Sequence, residues 1–251
     1  MTDIVDEEEI TVITADHLIE DYNLRVFLTK DGYIKKIPLT SLRSAPEQKL
    51  KEGDFILQEC EWHNKSDILF FSDRQTVYKM KLYELPDSKA GALGDYLQNL
   101  LGLEAEERIL YFVVTDNYDG ELLFAYENGK ISRIPLSVYA TKTNRRKLIH
   151  AYADASALVS MLLIHGETEI AVSSTNDRIL VCSSAQIPLK TTKSSQGVQV
   201  LKLKKDCKLK YMKRSDECGF ADIKVYRTKT IPVAGSFLKD ADKPGKQLTL
   251  F

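Results

Sequence analysis

The chain writes one phrase twice. Residues 26–39 read VFLTKDGYIKKIPL, and residues 123–136 read LFAYENGKISRIPL. Each opens on an apolar run, turns at Asp31-Gly32 or Asn128-Gly129, passes a basic residue and closes on Ile-Pro-Leu. Asp-Gly or Asn-Gly between apolar runs signals a β-hairpin, and both pairs suit a type I′ turn, whose two central residues take positive φ. Two further copies follow the same plan. Residues 69–82, LFFSDRQTVYKMKL, align without a gap and put Gln75 at the glycine position. Residues 170–189, IAVSSTNDRILVCSSAQIPL, turn at Asn176-Asp177 and make a longer return to Ile187-Pro188-Leu189. The copies begin at Val26, Leu69, Leu123 and Ile170, in steps of 43, 54 and 47 residues.

A β-rich period of this size predicts propeller blades of four strands each. Helical repeats of similar length would show a 3.6-residue apolar period, which these segments do not. The stretches between hairpins also read as extended: 53–62, 108–114, 158–164 and 198–204 are rich in apolar or β-branched residues. One exception is GALGDYLQNLLGL at 91–103, where Leu93, Tyr96, Leu97, Leu100 and Leu101 share a helical face and Gly102 suits a C-cap. A short helix near 94–101 is expected there. With the N-terminal ITVI and the stretch Val198–Phe237 adding strands, the expected fold is all-β, a propeller of about five blades, with four or six open. The expected organisation is an acidic segment over 1–9, one domain over 10–238 and a loose tail over 239–251. A chain of 251 residues fits that size.

The repeats carry neither the Gly-His…Trp-Asp signature of WD40 blades nor a kelch Gly-Gly pair. VFLTKDGYIKKIPL instead resembles the first blade of the C-terminal domain of bacterial type IIA topoisomerase A subunits, the DNA gyrase and topoisomerase IV family. DILFFSDRQTVYKMKLYELPD (67–87) resembles the second blade with its Tyr-x-Leu-Pro exit. LGDYLQNLLGL followed by ERILYFV resembles the link to the third, and GVQVLKLKKD (197–206) resembles a late-blade exit. The resemblance covers roughly residues 9–206. It implies a β-pinwheel, a propeller-like fold whose blades exchange strands, and an outer rim that binds and bends duplex DNA. The family's strand-cleaving tyrosine is expected outside this chain, in the catalytic region of the same A subunit. Duplex DNA, that catalytic region and the ATPase subunit are the expected partners, with the isolated domain monomeric and no cofactor of its own. The gyrase box Gln-Arg-Arg-Gly-Gly-x-Gly has no counterpart in LRSAPEQKLKEGD (42–54). That absence resembles the topoisomerase IV branch.

Charge adds to this reading. The net charge is −1, which by itself argues mildly against a nucleic-acid binder. Yet residues 190–229 hold twelve Lys or Arg against four Asp or Glu, while Asp3, Asp6, Glu7, Glu8 and Glu9 make the N-terminus acidic. Basic residues also recur past each turn: Lys35 and Lys36, Lys79 and Lys81, Lys130 and Arg133, and Arg178. The segment KTNRRK adds Lys142, Arg145, Arg146 and Lys147, either as a solvated loop or as a DNA contact. With Arg43 and Lys193, these are the candidate phosphate contacts, which carry affinity without reading sequence.

Other chemistry is sparse. Cys60, Cys182, Cys207 and Cys218 form no C-x-x-C pair, and His17, His63, His150 and His165 have no partner at ligand spacing. No nucleophile elbow or phosphate-binding glycine loop occurs. The opening MTDIVDEEEI is acidic rather than basic-then-apolar, and no apolar run reaches spanning length, so a soluble cytoplasmic protein without a leader is expected. A protein-interaction propeller is the alternative, needing an apolar or mixed face. A propeller enzyme would need convergent acids or histidines, which the sequence does not offer.

Overall fold

All four repeats fold as antiparallel hairpins in the computed structural model, which describes residues 19–43, 47–141 and 146–243. The hairpins are β1 (Asn23–Thr29) with β2 (Tyr33–Pro38), β4 (Asp67–Ser72) with β5 (Val77–Lys81), β8 (Glu121–Tyr126) with β9 (Lys130–Pro135), and β12 (Glu169–Ser174) with β13 (Arg178–Ser183). Their turns are not type I′. Only the third loop residue is left-handed in each: Gly32 at φ 84°, Gln75 at 52°, Gly129 at 80° and Asp177 at 56°. The N–H of Gly32 reaches the Thr29 carbonyl at 3.1 Å, Gly129 reaches Tyr126 at 2.9 Å and Asp177 reaches Ser174 at 3.2 Å. This is the three-residue loop that closes on one left-handed position. Aligning on it moves the fourth copy by one residue, so its return strand is no longer than the others. Ile187-Pro188 lies beyond a 3-10 turn at Ser184–Gln186, where the second copy has Leu85-Pro86 after Leu82–Glu84.

Each hairpin gains an inner and an outer strand. The inner strands are β3 (Ile56–His63), β7 (Ile109–Thr115), β11 (Leu158–Ile164) and β15 (Leu209–Arg214). One backbone bond recurs at their entry: Lys30 N–H to Phe55 O (3.0 Å), then Asp73 to Arg108, Glu127 to Ala157 and Thr175 to Lys208 (2.9 Å each). The outer strands are two residues long: β6 (Asp95–Tyr96), β10 (Lys147–Leu148), β14 (Val198–Gln199) and β16 (Ser236–Phe237). The four sheets run β3-β1-β2-β6, β10-β5-β4-β7, β11-β8-β9-β14 and β15-β12-β13-β16. The first three sheets thus take their outer strand from chain that follows the next hairpin, which is strand exchange between blades.

Among the described residues the blades therefore number four rather than about five. The chain divides into two compact units, with breaks after Asp67, Met80 and Tyr96. One unit is the first sheet. Its Phe27 and Ile37 pack under Leu39 and Leu42 of the short helix α1 (Leu39–Leu42), with Ala90 and Ile56 beside them. The other unit holds the remaining three sheets. Leu69, Phe71, Phe124, Tyr139 and Tyr152 fill one core, while Leu123, Ile131, Val172, Leu180 and Met212 fill the next. The face of the fourth sheet bearing Ala171, Ile179 and Val181 is covered by Tyr226, with Phe220, Ile223, Val225 and Leu238 around it. A fifth blade was expected to draw strands from this same stretch. Val198–Phe237 does supply strands, but β14, β15 and β16 join the third and fourth sheets; between β15 and β16 the chain holds short 3-10 turns that seal an apolar face, with Tyr226 itself buried.

The helix near 94–101 shrinks to α2 (Leu97–Leu101), with Gly102 left-handed at its end as expected. Leu93 and Tyr96 lie upstream of it and are exposed. Gly94 is left-handed, and Asp95-Tyr96 pair with β2, so the local apolar period loses to strand donation. Of the tail from Lys239 on, Asp240–Asp242 form a 3-10 turn whose Asp242 accepts bonds from Ala221 N–H and the Tyr226 hydroxyl. The segments 1–9 and ITVI, and residues 244–251, lie outside the described residues. Among the described residues no helix is long and apolar enough to cross a membrane.

Candidate nucleic-acid interface

Side chains alternate along a strand, so a basic residue past a turn faces either solvent or a core. Several candidates face inward. Lys35 is 0% exposed, and its ammonium donates to the Ala90 carbonyl at 2.9 Å and the Lys49 carbonyl at 3.3 Å. Burial pushes its pKa below the ordinary lysine value. Lys36, 3% exposed, bonds Asn64 Oδ1 and Asp87 Oδ1, each at 3.0 Å. Neither ammonium is on the surface as a rim contact requires. Arg133 is held by Glu121 and by the Ser184 and Ile187 carbonyls. Arg178 donates to the Gly235 carbonyl at 2.8 Å and stacks on Phe237, 4.0 Å from the ring centre. Lys81 is paired with Asp67 at 3.0 Å. The lysines and arginines past the turns are in large part the blades' own fasteners.

Two groups of cations do meet solvent together. The first lies on the outer edge of the second sheet. Here β10 pairs with β5, Lys147 opposite Tyr78, and the Lys79 N–H bonds the Arg146 carbonyl at 2.8 Å. Arg146 and Lys147 are exposed and Lys79 half-buried. Each ammonium is propped on an aromatic face: Lys79 on Tyr118 at 4.7 Å, Lys147 on Tyr78 at 5.4 Å. The Tyr78 hydroxyl is fixed in turn by Glu107 at 2.9 Å. Burial alone would raise the Glu107 pKa, but bonds from Ser72, Glu104 N–H and Tyr78 outweigh it and hold the carboxyl below its ordinary value. Glu104 shares the edge, 3.5 Å from Lys147 and 3.8 Å from Arg74. Lys142 and Arg145 lie outside the described residues.

The second group is one the sequence reading located only as a charge imbalance and, apart from Lys193, did not resolve into residues. Between β14 and β15 the chain crosses the tips of two hairpins. Leu209 N–H bonds Glu127 O at 2.9 Å, Lys208 N–H bonds Thr175 Oγ1 at 3.0 Å, and the Leu201 carbonyl passes so close to Gly129 that a Cβ there would sit 2.4 Å from it. This crossing and the start of β15 present Lys202, Lys204, Lys205 and Lys210 to solvent without an acidic partner among the described residues, while Lys208 pairs with Glu127 at 2.8 Å. Lys193 lies 5.4 Å from the Tyr139 ring centre, and Lys130 bonds Gln196 at 3.2 Å. Alternation along VQVLKLKKD and LKYMKR was the available signal for which lysines face out.

In the first unit, Arg43 is exposed at the end of α1. The following stretch is tied inward: Lys49 N–H bonds the Ala90 carbonyl at 2.9 Å, and Asp54 Oδ1 accepts from Asp31 and Phe55 N–H. Pro46 lies outside the described residues. Among the described residues no three His, Cys, Asp or Glu side chains converge as a metal site would require, and the four cysteines are free thiols.

Comparisons of the sequence and the fold with known proteins point to one family. A family model described as DNA gyrase C-terminal domain, beta-propeller, matches residues 26–46, 66–94 and 168–214. The A subunit of DNA gyrase from Escherichia coli strain K12 is 31% identical over 185 residues, covering 68% of this chain and 21% of that protein. The chain thus spans about a fifth of the length of the curated relatives it matches. Among solved structures, the C-terminal domain of DNA topoisomerase IV superposes with a TM-score of 0.67 at 22% identity, over 78% of this chain and 62% of that one. The E. coli ParC C-terminal domain gives 0.64 at 13% identity, over 87% of this chain and 95% of that one. At those identities the superpositions speak to fold.

Proposed function

Since the chain belongs to the family of C-terminal domains of bacterial type IIA topoisomerase A subunits, we propose that it binds and bends duplex DNA for its parent enzyme. In this reading the exposed cations of the outer blade edges engage phosphates. The bent segment is then presented to the catalytic region of the same A subunit, working with the ATPase subunit in the bacterial cytoplasm. The observation that carries the reading is the paired clustering of solvent-facing cations in the second unit: Lys79, Arg146 and Lys147 on one edge, and Lys202, Lys204, Lys205 and Lys210 across the hairpin tips. Phosphate contacts of this kind position a duplex without reading its bases.

Arg43, Lys79, Lys130, Arg146, Lys147 and Lys193 remain in the proposed contact set, with Lys142 and Arg145 alongside. Lys35 and Lys36 leave it because they are buried, Arg133 and Arg178 because backbone carbonyls hold their guanidinium groups, and Lys81 because it neutralises the nearly buried Asp67. The protein-interaction alternative gains no specific observation.

The test is charge reversal. Arg146→Glu with Lys147→Glu, and separately Lys204→Glu with Lys205→Glu, should each weaken binding to every duplex sequence alike and lower its salt dependence. If both double variants bind as the wild type does, these edges are not the DNA path.

A further inference from the structure

At one position of the repeat the protein exposes a large apolar side chain in two blades, and in a third such a side chain lies just past the outer strand. The position is the outer-strand residue opposite the one that follows the left-handed turn residue. It holds Tyr96 opposite Tyr33, Gln199 opposite Lys130, and Phe237 opposite Arg178. In the second blade the outer strand ends at Leu148, opposite Val77, and Ile149 follows it directly. Tyr96 is 43% exposed and lies against the Tyr33 ring; Phe237 is 59% exposed and lies under Arg178. Ile149 is 64% exposed, above every other large apolar side chain among the described residues.

Its surroundings hold it out. On one side Leu148 is buried and paired with β5. On the other, Ala151 N–H bonds the Gln75 carbonyl at 2.8 Å, and the Tyr152 hydroxyl donates to the Ser72 carbonyl from within the core. Between these clamps the chain turns at His150, which is left-handed at φ 52°. A non-glycine residue in that region persists only where its surroundings impose it. Ile149 is therefore a short aliphatic peg on a rigid tip, with the exposed cations Arg146 and Lys147 just before it.

Resting on the DNA-binding reading above, we propose that Ile149 is a wedge. It enters the minor groove at one base step and opens a kink there, while Arg146 and Lys147 engage the flanking phosphates. Aliphatic side chains inserted between base pairs unstack that step and bend the duplex toward the major groove. The unstacking costs least at pyrimidine–purine steps, so a thymine–adenine or cytosine–adenine step is the favoured substrate at this point of the path. Smooth electrostatic bending needs no such residue and unstacks no single step.

The experiment uses the full chain and a short duplex with 2-aminopurine beside a central thymine–adenine step and a dye pair at its ends. On binding, the wild type should raise both 2-aminopurine fluorescence and end-to-end energy transfer. Ile149→Ala should lose most of both increases while its affinity changes by less than about tenfold, and Ile149→Phe should keep them. Arg146→Glu with Lys147→Glu should lose affinity as well. Binding and bending by the wild type without a 2-aminopurine signal, or full bending by Ile149→Ala, would overturn the wedge while leaving the DNA reading intact. If the wild type binds no duplex at low salt, the DNA reading fails and the wedge with it.

Discussion

Lys35 and Lys147 are both lysines on propeller strands, and they do opposite things. Lys35 is a buried cation that satisfies two backbone carbonyls, and it joins β2 to the chain around Lys49 and Ala90. Lys35→Met would fill a similar volume and leave both carbonyls without that donor. It should lower unfolding stability by about 1–3 kcal/mol, read from urea titration, with DNA affinity unchanged once folded protein is compared. Lys147→Glu should do the reverse, leaving stability near wild type and weakening DNA binding. An equal loss of affinity in both variants would mean that burial does not sort these residues. The sequence does not say which of the two is buried: Lys35 follows a turn among apolar neighbours, Lys147 closes the basic run KTNRRK, and neither pattern shows what packs over it. The sorting depends on the pleat of the strand and on which chain packs over it. Gln75 and Asp177, by contrast, sat at recognisable turn positions. Their left-handed backbone follows from the loop length, whereas the type I′ turn expected at Asp31-Gly32 and Asn128-Gly129 and the alignment of the fourth copy are both corrected by it.

At the level of elements, the unexpected piece is the stretch that covers the fourth sheet. Tyr226 is buried at its centre, with its hydroxyl bonded to Asp242 and accepting the Lys239 N–H. Tyr226→Ala should destabilise by about 3–5 kcal/mol through the cavity it leaves. Tyr226→Phe should cost only about 1 kcal/mol. Urea unfolding with a dye that binds apolar surface would check both, and a Tyr226→Ala protein as stable as wild type would show that the cover contributes little. The same stretch is pinned to β12 by Arg227, which donates to Glu169 at 2.7 and 3.1 Å, with Ser215 at 3.0 Å. The Arg227 guanidinium and the Ser215 hydroxyl hold the Glu169 carboxyl below its ordinary value of 4.5, against a smaller opposing effect of burial. A lowered carboxyl pKa stabilises fully above the ordinary value and loses that contribution as pH falls through the folded value. Protection from amide exchange, relative to the intrinsic rate at each pH, should therefore fall selectively across 218–242 below about pH 4.5, and Glu169→Gln should abolish that selectivity. The hairpins were legible in the sequence because turn residues and alternation are local. The two-residue outer strands and this cover were not, because each is defined by a partner far along the chain.

For the whole molecule, four blades and the missing gyrase box bear on what the parent enzyme does. The stretch 42–54 keeps Arg43, Lys49, Lys51 and Gly53 but has Glu47 where an arginine-rich loop would meet phosphate, and Lys49 and Asp54 tie it back to its own blade. We propose that the domain bends DNA without closing a tight chiral wrap, as in a topoisomerase IV. Supplied with ATP and assembled with its ATPase subunit, the parent enzyme should relax and decatenate DNA without strongly introducing negative supercoils into relaxed plasmid. Efficient supercoiling would place it in the gyrase branch. All of this depends on electrostatic binding of duplex DNA by a chain whose net charge is only −1. The direct measurement is a titration of this chain with linear duplex DNA across a salt series. If the exposed cations engage six or more phosphates, affinity should fall by roughly a thousandfold or more between about 50 and 200 mM salt, with little dependence on base sequence. Affinity that stays flat across that range, or no binding at its low end, would contradict the account.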